Sequence, residues 1–133
     1  MTDTEVLFLR SDELSGLATP AEYVDAVREG YREIGDGGTA EPRTKLVNQS
    51  PPGMLTGYMA ILPETGAMGG YTYAAGFGDR DAHFFLPLFD AERGRPLALL
   101  DGASLNPFKT GAAGGVAVDE LARPDATDLA LFG

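Results

Sequence analysis

The sequence predicts an α/β fold in which a strand-rich mixed sheet carries two main helices. Three observations predict it: a capped amphipathic helix near the start, a central series of short apolar runs separated by turn residues, and a second helix after those runs. The chain has 133 residues, of which 44% are hydrophobic and 23% are charged. That size and balance fit one domain with a buried core.

Composition excludes several classes of function. The sequence has no cysteine and a single histidine, His83, which excludes thiolate chemistry and multi-histidine metal sites. The formal net charge of −10 repels phosphate backbones and argues against nucleic acid as a partner. The apolar runs are too short to span a membrane and the acidic N-terminus does not resemble a signal peptide, so we expect a cytoplasmic protein without a membrane partner. The scattered acids indicate a solvated surface, and a halophile-like adaptation to high salt is one hypothesis for them.

The first long helix is predicted by the segment TPAEYVDAVREGYREIGDGG. Thr19 is a good N-cap, Pro20 suits the first helical position, and Glu22 completes a capping box. Apolar residues recur at helical spacing and glycines follow them, which predicts a packing helix that ends at the glycines. The apolar face is Val24, Val27, Tyr31 and Ile34, and the glycines are Gly35, Gly37 and Gly38.

Strands are expected on both sides of this helix. Residues 5–9 form a short strand candidate, and Ser11 is expected to N-cap a short helix that runs to Leu17. The later candidates are RTKLVNQ, MLTGYMAIL, MGGYTYAAGF, HFFLPLFD and PLALLDG, of which the last two form a hairpin. The two glycines of MGGYTYAAGF permit close backbone approach, and Pro87 predicts an edge strand or a bulge.

The second long helix is predicted over NPFKTGAAGGVAVDELARPD, with Asn106 as N-cap and Pro107 at the first helical position. The stretch TGAAGGVA consists almost entirely of small residues, so another element can pack very close to it. Lys109 and Thr110 are expected beside the free amides of the first turn, where an anion could bind and approach the backbone at Gly111. A surface lysine on a closely packed helix explains the same residues, and the local sequence favours that alternative.

The segment EPRTKLV is a second candidate binding site. Arg43 and Lys45 are two residues apart, so on a strand they point to the same face and could clamp a carboxylate. Two solvated charges paired with nearby acids are the plainer alternative. Tyr58, Tyr71 and Tyr73 alternate with apolar residues, which is more typical of a core or an interface than of a binding site.

Taken together, these motifs resemble the ornithine cyclodeaminase and mu-crystallin family. Members show a strand ending in GxPLAxxDG, a helix opening RTGAA, then LAR.D, and a strand leading into a Gly-rich dinucleotide loop. This chain has GRPLALLDG, KTGAAGG, LARPD and DLALFG in the same order. Its TGAAGGVA is also similar to archaeal alanine dehydrogenases of the family, and the resemblance covers essentially the whole chain.

The resemblance implies an N-terminal domain that binds substrate and forms a homodimer, followed by a Rossmann domain that binds NAD or NADP. It implies that residues 1–124 are the substrate-binding and dimerisation domain. Residues 125–133, with a strand at Leu129–Phe132, are then the first strand of a truncated Rossmann domain.

Family members oxidise an amino acid or reduce an imine by hydride transfer, and the cyclodeaminases turn ornithine into proline. We therefore expect a small amino acid or cyclic imine as ligand. For this chain alone we expect no catalytic residue, no stably bound cofactor and no hydride transfer. A non-catalytic binding or dimerisation module of mu-crystallin type, an alanine dehydrogenase-like fragment, and a truncated product without an independent role are the alternatives.

The resemblance also implies roles for individual residues. Arg43 matches an Arg or Lys that meets the substrate carboxylate, and Lys109 stands where most members have an Arg that contacts substrate and cofactor. Tyr71 replaces the lysine of a GVK motif, so it could hydrogen-bond, or transfer a proton if its pKa were lowered. Lys45 could compensate for the missing lysine. The implied cofactor-binding residues are Lys109, Thr110, Gly111 and Gly133.

Overall fold

A computed structural model describes residues 5–78 and 82–132 of the chain. It has a central β-sheet with two long helices, and the α/β fold with a strand-rich mixed sheet is confirmed. The helices are α1 (Ser11–Leu14), α2 (Pro20–Gly35) and α3 (Leu105–Leu121), and the strands are β1 (Leu7–Leu9), β2 (Thr39–Ala40), β3 (Thr44–Gln49), β4 (Pro52–Leu62), β5 (Ala67–Ala75), β6 (His83–Asp90) and β7 (Pro96–Asp101).

The seven strands form one sheet in the order β1-β7-β6-β5-β4-β2, and β3 pairs with β4. β1 runs parallel to β7, whereas all the other pairs are antiparallel. The predicted hairpin is formed by β6 and β7, and Gly94 in its turn has a φ of +68°, which suits glycine. The sheet is therefore a meander of hairpins closed at one edge by a parallel strand.

Helix α2 has the predicted start. The Thr19 hydroxyl accepts a hydrogen bond from the Glu22 N–H at 3.3 Å, and the Glu22 carboxylate accepts one from the Thr19 N–H at 2.7 Å. Val24 lies against α3, but Tyr31 is 58% exposed and does not belong to the buried face as predicted. The reason is that α3 covers α2 near Val24 and the β4–β5 turn covers it at Glu33, while neither covers Tyr31.

The other two helix starts differ from the sequence prediction. Ser11 is the first residue of α1, with Arg10 as its N-cap, and the helix ends at Leu14 rather than Leu17. In α3 the N-cap is Ser104 and not Asn106, and Pro107 is the third helical residue. The carbonyl of Gly102 accepts the N–H groups that open α3, so the helix starts earlier than a side-chain cap at Asn106 requires.

Pro87 lies in β6, which pairs with β5 on one side and β7 on the other. The predicted edge strand is therefore wrong. The predicted bulge is present, since the β6–β7 register shifts between Leu88 and Phe89. Pro87 has no N–H to donate, and the β5–β6 ladder is interrupted between the pairs at Gly69 and Thr72.

The glycine pair of β5 permits the close approach that the sequence predicted. A Cβ on Gly69 would collide with the carbonyl oxygen of Pro87, and a Cβ on Gly70 with that of Tyr58. Glycine at both positions thus lets β4, β5 and β6 lie close together. This fixes the backbone of Tyr58 in the middle of the sheet.

The two faces of the sheet have different environments. Side chains of β4 that point towards the helices are buried or half-buried, such as Thr56, Tyr58 and Leu62. Side chains that point the other way, such as Met59 and Ile61, are exposed. Both long helices therefore cover the same face and leave the other face bare.

Residues 122–132 form neither helix nor strand. The strand predicted for Leu129–Phe132 is therefore wrong, because a strand requires backbone pairing and none is made there by the described residues. Gly133 lies outside the described residues, so its placement in a phosphate loop stays a prediction. The division into a substrate-binding domain (1–124) and the start of a Rossmann domain (125–133) also stays a prediction. Over the described residues, no helix has the length and apolar character needed to cross a membrane.

Glu33 was not singled out in the sequence, yet it is only 2% exposed. Its carboxylate accepts hydrogen bonds from the N–H groups of Glu64 at 2.7 Å and Thr65 at 3.1 Å, and from the Thr65 hydroxyl at 2.8 Å. A buried carboxylate needs such donors to offset its desolvation. Glu33 therefore ties α2 to the turn between β4 and β5.

We expect Glu33→Ala to lower the free energy of unfolding by about 2–4 kcal/mol, because it leaves the backbone donors of the turn without their acceptor. Urea unfolding followed by circular dichroism measures this. The control is Glu29→Ala, which removes an exposed carboxylate that pairs with Arg32 on the same helix and is expected to have a clearly smaller effect. Equal losses for the two variants would contradict the role assigned to Glu33.

Candidate carboxylate-binding site

Two cations from distant parts of the sequence meet at the ring of Tyr58. The Arg43 Cζ atom lies 5.3 Å from the ring centroid and the Lys109 Nζ atom lies 5.5 Å from it. Lys109 Nζ also donates a hydrogen bond to the Tyr58 hydroxyl at 3.1 Å. The structure thus brings together two residues that the sequence placed in separate candidate sites.

The sheet register explains how Arg43 reaches this position. Thr44 in β3 pairs with Gly57 in β4, and continuing that register places Arg43 beside Tyr58. In the next pair of strands Tyr58 is opposite Tyr71, so the two rings lie on the same face, with their centroids 5.7 Å apart. Helix α3 lies over this face and supplies Lys109.

Tyr71 forms the inner wall of the cluster and is 5% exposed. Its ring packs edge-on against Phe84 with 5.7 Å between centroids, and Lys109 Nζ lies 5.0 Å from its centroid. The Tyr71 hydroxyl is 3.5 Å from the Gly102 carbonyl, a long contact in which the hydroxyl donates. Tyr71 is therefore a neutral aromatic wall of the cluster.

Burial is the main cause that raises the pKa of Tyr71 to about 12 from 10.0, with smaller contributions from Tyr58 and Tyr23. A raised pKa is the opposite of the lowering that proton transfer near neutral pH requires. Tyr71 stays protonated at neutral pH, so it can donate a hydrogen bond but is a poor general base.

Lys45 lies on the same sheet face as Arg43, two residues further along the chain, where it pairs with Thr56 of β4. It is exposed and has no ion pair or cation–π contact with the other described residues. The structure therefore does not bring Lys45 to the ring of Tyr58. Its compensating role stays a prediction.

The cations at Tyr58 lack carboxylate partners. Over residues 5–78 and 82–132, neither Arg43 nor Lys109 forms an ion pair. Arg28 and Arg32, by contrast, each bind at least two carboxylates. In a chain of net charge −10, two neighbouring cations without an acid partner indicate a site for an external anion.

The anion site that the sequence placed at the first turn of α3 is wrong in its geometry. Because α3 begins at Leu105, Lys109 is its fifth residue, and Thr110 and Gly111 follow it. From the fifth residue onwards an α-helix uses its N–H groups for its own hydrogen bonds. Lys109 therefore contributes its side chain to a site on the sheet, and the amides of Thr110 and Gly111 are not free.

Thr110 and Gly111 lie on the exposed surface of α3, in a groove between Val24 and the C-terminal segment. Gly115 fits closely against α2, because a Cβ there would lie 3.2 Å from a methyl group of Val24. The described residues contain no strand–glycine loop–helix crevice of the kind that binds a dinucleotide. By themselves they do not provide the phosphate-binding loop that holds NAD or NADP in dinucleotide-binding folds.

Sequence reasoning missed the part played by Tyr58, which it treated as a core or interface tyrosine. It also missed Thr56, which is 1% exposed and whose hydroxyl has no hydrogen-bond partner among the described residues. The available signal was the register: Arg43, Tyr58 and Tyr71 face the same way only if β3, β4 and β5 pair as they do. A single sequence does not specify that pairing.

A comparison with known protein families shows to which family this chain belongs. The model of the ornithine cyclodeaminase/mu-crystallin family matches residues 5–133. The chain belongs to this family. The resemblance that its motifs suggested is thereby confirmed, and a solved archaeal alanine dehydrogenase is among the similar structures.

Individual relatives agree with the assignment. The chain is 41% identical over 56 residues to Delta(1)-pyrroline-2-carboxylate reductase of Bacillus cereus, an alignment that covers 42% of this chain and 17% of the relative. An archaeal alanine dehydrogenase dimer with bound NAD superposes with a TM-score of 0.81 and 28% identity, over 92% of this chain and 39% of the other. Delta(1)-pyrroline-2-carboxylate reductase of Thermococcus litoralis, in complex with NADH and L-proline, also has a TM-score of 0.81, with 26% identity over 90% of this chain and 39% of the other.

The chain thus spans about two fifths of the length of these solved structures. The shared part is the sheet with its two helices. What the whole proteins do is therefore carried over to this chain only as a proposal.

The pKa of Tyr71 gives a direct test of its burial. In the folded protein we expect one tyrosine to ionise with a pKa of about 12, later than an ordinary tyrosine with a pKa of 10.0, and this late ionisation should be absent in Tyr71→Phe. Folding stability from this residue is present below pH 10.0 and is lost as the pH rises towards 12, because the unfolded chain releases the proton first. Alkaline titration of the phenolate absorbance measures it, and an unchanged titration in Tyr71→Phe would refute it.

Proposed function

We propose that this chain is the carboxylate-binding part of an NAD(P)-dependent amino-acid dehydrogenase or imine reductase. Arg43 and Lys109 bind the carboxylate of a small amino acid or cyclic imine. One observation carries the proposal: both cations contact the ring of Tyr58, and neither has a carboxylate partner within the described ranges.

The chemistry of the two cations suits this role. The guanidinium of Arg43 can bind both oxygens of a carboxylate side by side, whereas the ammonium of Lys109 acts as a compact charge with three donors. One Lys109 donor is already directed at Tyr58, and the other two make no hydrogen bond to the described residues. A carboxylate here would offset the mutual repulsion of the two cations.

The neutral wall formed by Tyr71 favours one substrate class. An ornithine-type substrate brings a second ammonium, which needs an acidic partner, but the charged side chains at the Tyr58 ring are the cations Arg43 and Lys109. A cyclic imine carboxylate is compact and can pack on aromatic rings. The names of two relatives, both Delta(1)-pyrroline-2-carboxylate reductases, support this choice.

In this proposal the hydride step requires the parts of the family's proteins that this chain does not span. NAD or NADP would supply the hydride there, and the chain alone would bind substrate without reducing it. Lys109 is next to the α3 surface that carries Thr110 and Gly111, so we infer that this surface faces the cofactor in the whole protein. A purified chain that reduced an imine with NADH would contradict this division of roles.

We expect Arg43→Ala and Lys109→Ala each to weaken the binding of pyrrole-2-carboxylate, a flat carboxylate probe, by about tenfold or more, because each removes a charged hydrogen-bond donor. Isothermal titration calorimetry at constant ionic strength measures the affinity. The matched control is Arg95→Ala, which removes the same charge from the exposed β6–β7 turn and is expected to leave the affinity unchanged.

If Arg95→Ala weakened binding as much as Arg43→Ala, the anion would be responding to net charge rather than to a built site. If the unaltered chain bound no carboxylate at all, the proposal would fail outright. L-Proline and ornithine, titrated in parallel, report whether a second ammonium is tolerated.

A second candidate function is dimerisation, and the bare sheet face favours it. Apolar side chains on this face remain exposed although most of them belong to inner strands, and such a surface is normally covered by another molecule. We propose that a second copy of the chain covers it, in keeping with the alanine dehydrogenase that was solved as a dimer. These side chains are Phe8, Leu46, Leu55, Met59, Ile61 and Phe85.

We expect Met59→Glu to shift the chain from dimer to monomer, because it places a charge in the middle of the proposed interface. Sedimentation velocity measures the mass in solution. Leu17→Glu is the control, since Leu17 is equally exposed but lies in the loop between α1 and α2 and belongs to no strand. A monomeric unaltered chain, or a dimer that survives Met59→Glu, would exclude this interface.

A further inference from the structure

We propose that Tyr58 is a positioning residue that holds Arg43 and Lys109 as one carboxylate clamp. The inference rests on the proposed function and adds a residue for which the family resemblance implied no role. Its basis is that a single side chain contacts both cations, Arg43 through its ring and Lys109 through its hydroxyl.

The ring lowers the cost of placing two cations together. An aromatic face carries partial negative charge, and Arg43 lies within the distance at which that face attracts a cation, whereas Lys109 is held by the Tyr58 hydroxyl. The two cations would otherwise repel each other and move towards the many acids of this chain. Tyr58 thus keeps them apart from those acids while no ligand is bound.

The hydroxyl gives Lys109 a direction. A lysine has a long flexible side chain and loses rotamer freedom when it is fixed. The hydrogen bond of 3.1 Å from Nζ to the Tyr58 hydroxyl, together with the nearby face of Tyr71, restricts the ammonium to one side of the cluster. Fixing the donor before the ligand arrives improves the binding of that ligand.

Tyr58 is itself held rigidly. Its strand β4 is paired on one side with β3 and on the other with β5, and its ring packs against Tyr71. Gly70 lets the neighbouring strand approach the Tyr58 carbonyl, as described above. The side chain therefore projects from an inner strand that is paired with β5 at Tyr58 itself.

Tyr73 shows what a tyrosine without this role looks like. Tyr73 lies two residues after Tyr71 in β5, on the same face of the sheet, and its ring stacks on Phe84 with 4.9 Å between centroids. Among the described residues it makes no cation–π contact. Tyr73→Phe is therefore a matched control for the loss of a hydroxyl on this face.

The experiment compares Tyr58→Phe, Tyr58→Leu and Tyr73→Phe in the full chain by two measurements. The first is calorimetric affinity for pyrrole-2-carboxylate. Tyr58→Phe keeps the ring but loses the hydrogen bond to Lys109, so we expect binding about fivefold weaker, and Tyr58→Leu loses both contacts, so we expect a loss of more than about tenfold. Tyr73→Phe is expected to bind like the unaltered chain.

The second measurement is the proton NMR spectrum of Lys109 and Arg43 side chains in the free protein. A nearby aromatic face shifts their methylene protons upfield, so Tyr58→Leu should move both residues downfield. Tyr58→Phe should change Lys109 and leave Arg43 nearly unchanged, which a general structural defect would not produce.

The two measurements separate the possible failures. If the unaltered chain binds no carboxylate, the proposed function falls, and the NMR shifts still decide whether Tyr58 positions the cations. If the chain binds the probe but Tyr58→Leu binds it equally well, the positioning role is overturned and the proposed function survives. Unchanged NMR signals in Tyr58→Leu overturn the inference in either case.

Discussion

The Lys109 ammonium contacts the hydroxyl of Tyr58 and the ring of Tyr71, and these contacts join helix α3 to the sheet. Its distances to the two ring centroids are 5.5 and 5.0 Å, and its hydrogen bond to the Tyr58 hydroxyl is 3.1 Å. Cation–π contacts strengthen when the charge is partly removed from water, as it is for this half-buried lysine. The site exists only because β4, β5 and α3 are held in this arrangement.

The same contact depends on features that have no charge at all. The glycine pair of β5 lets the backbone of Tyr58 lie close to its neighbour, and Gly115 lets α3 approach α2. Glu33 fixes α2 to the turn that joins β4 and β5. The glycines and Glu33 therefore fix the strands and helices that carry the site.

The sequence predicted those features that depend on a few neighbouring residues. The start of α2 follows from Thr19, Pro20 and Glu22, which lie within one turn, and the sequence predicted it. The start of α3 depends on the carbonyl of Gly102 rather than on a side-chain cap, and the sequence prediction at Asn106 was two residues late. The candidates Arg43 and Lys109 were recognisable by residue type, but their meeting at Tyr58 requires the sheet register, which is a tertiary property.

Charge explains why the site stands out in this molecule. An acidic chain offers many partners to any arginine or lysine, and other cations such as Arg28 and Arg32 take them. Arg43 and Lys109 face an aromatic surface instead, so their positive charge remains available to a ligand. Among the described residues, no carboxylate forms an ion pair with either of these two cations.

The most direct test is a crystal structure of the chain with pyrrole-2-carboxylate bound at saturating concentration. The account predicts that the carboxylate oxygens lie within hydrogen-bond distance of the Arg43 guanidinium and of Lys109 Nζ, with the five-membered ring on the side of Tyr71. A ligand bound elsewhere, with Arg43 and Lys109 still against Tyr58 and no anion between them, would contradict the account.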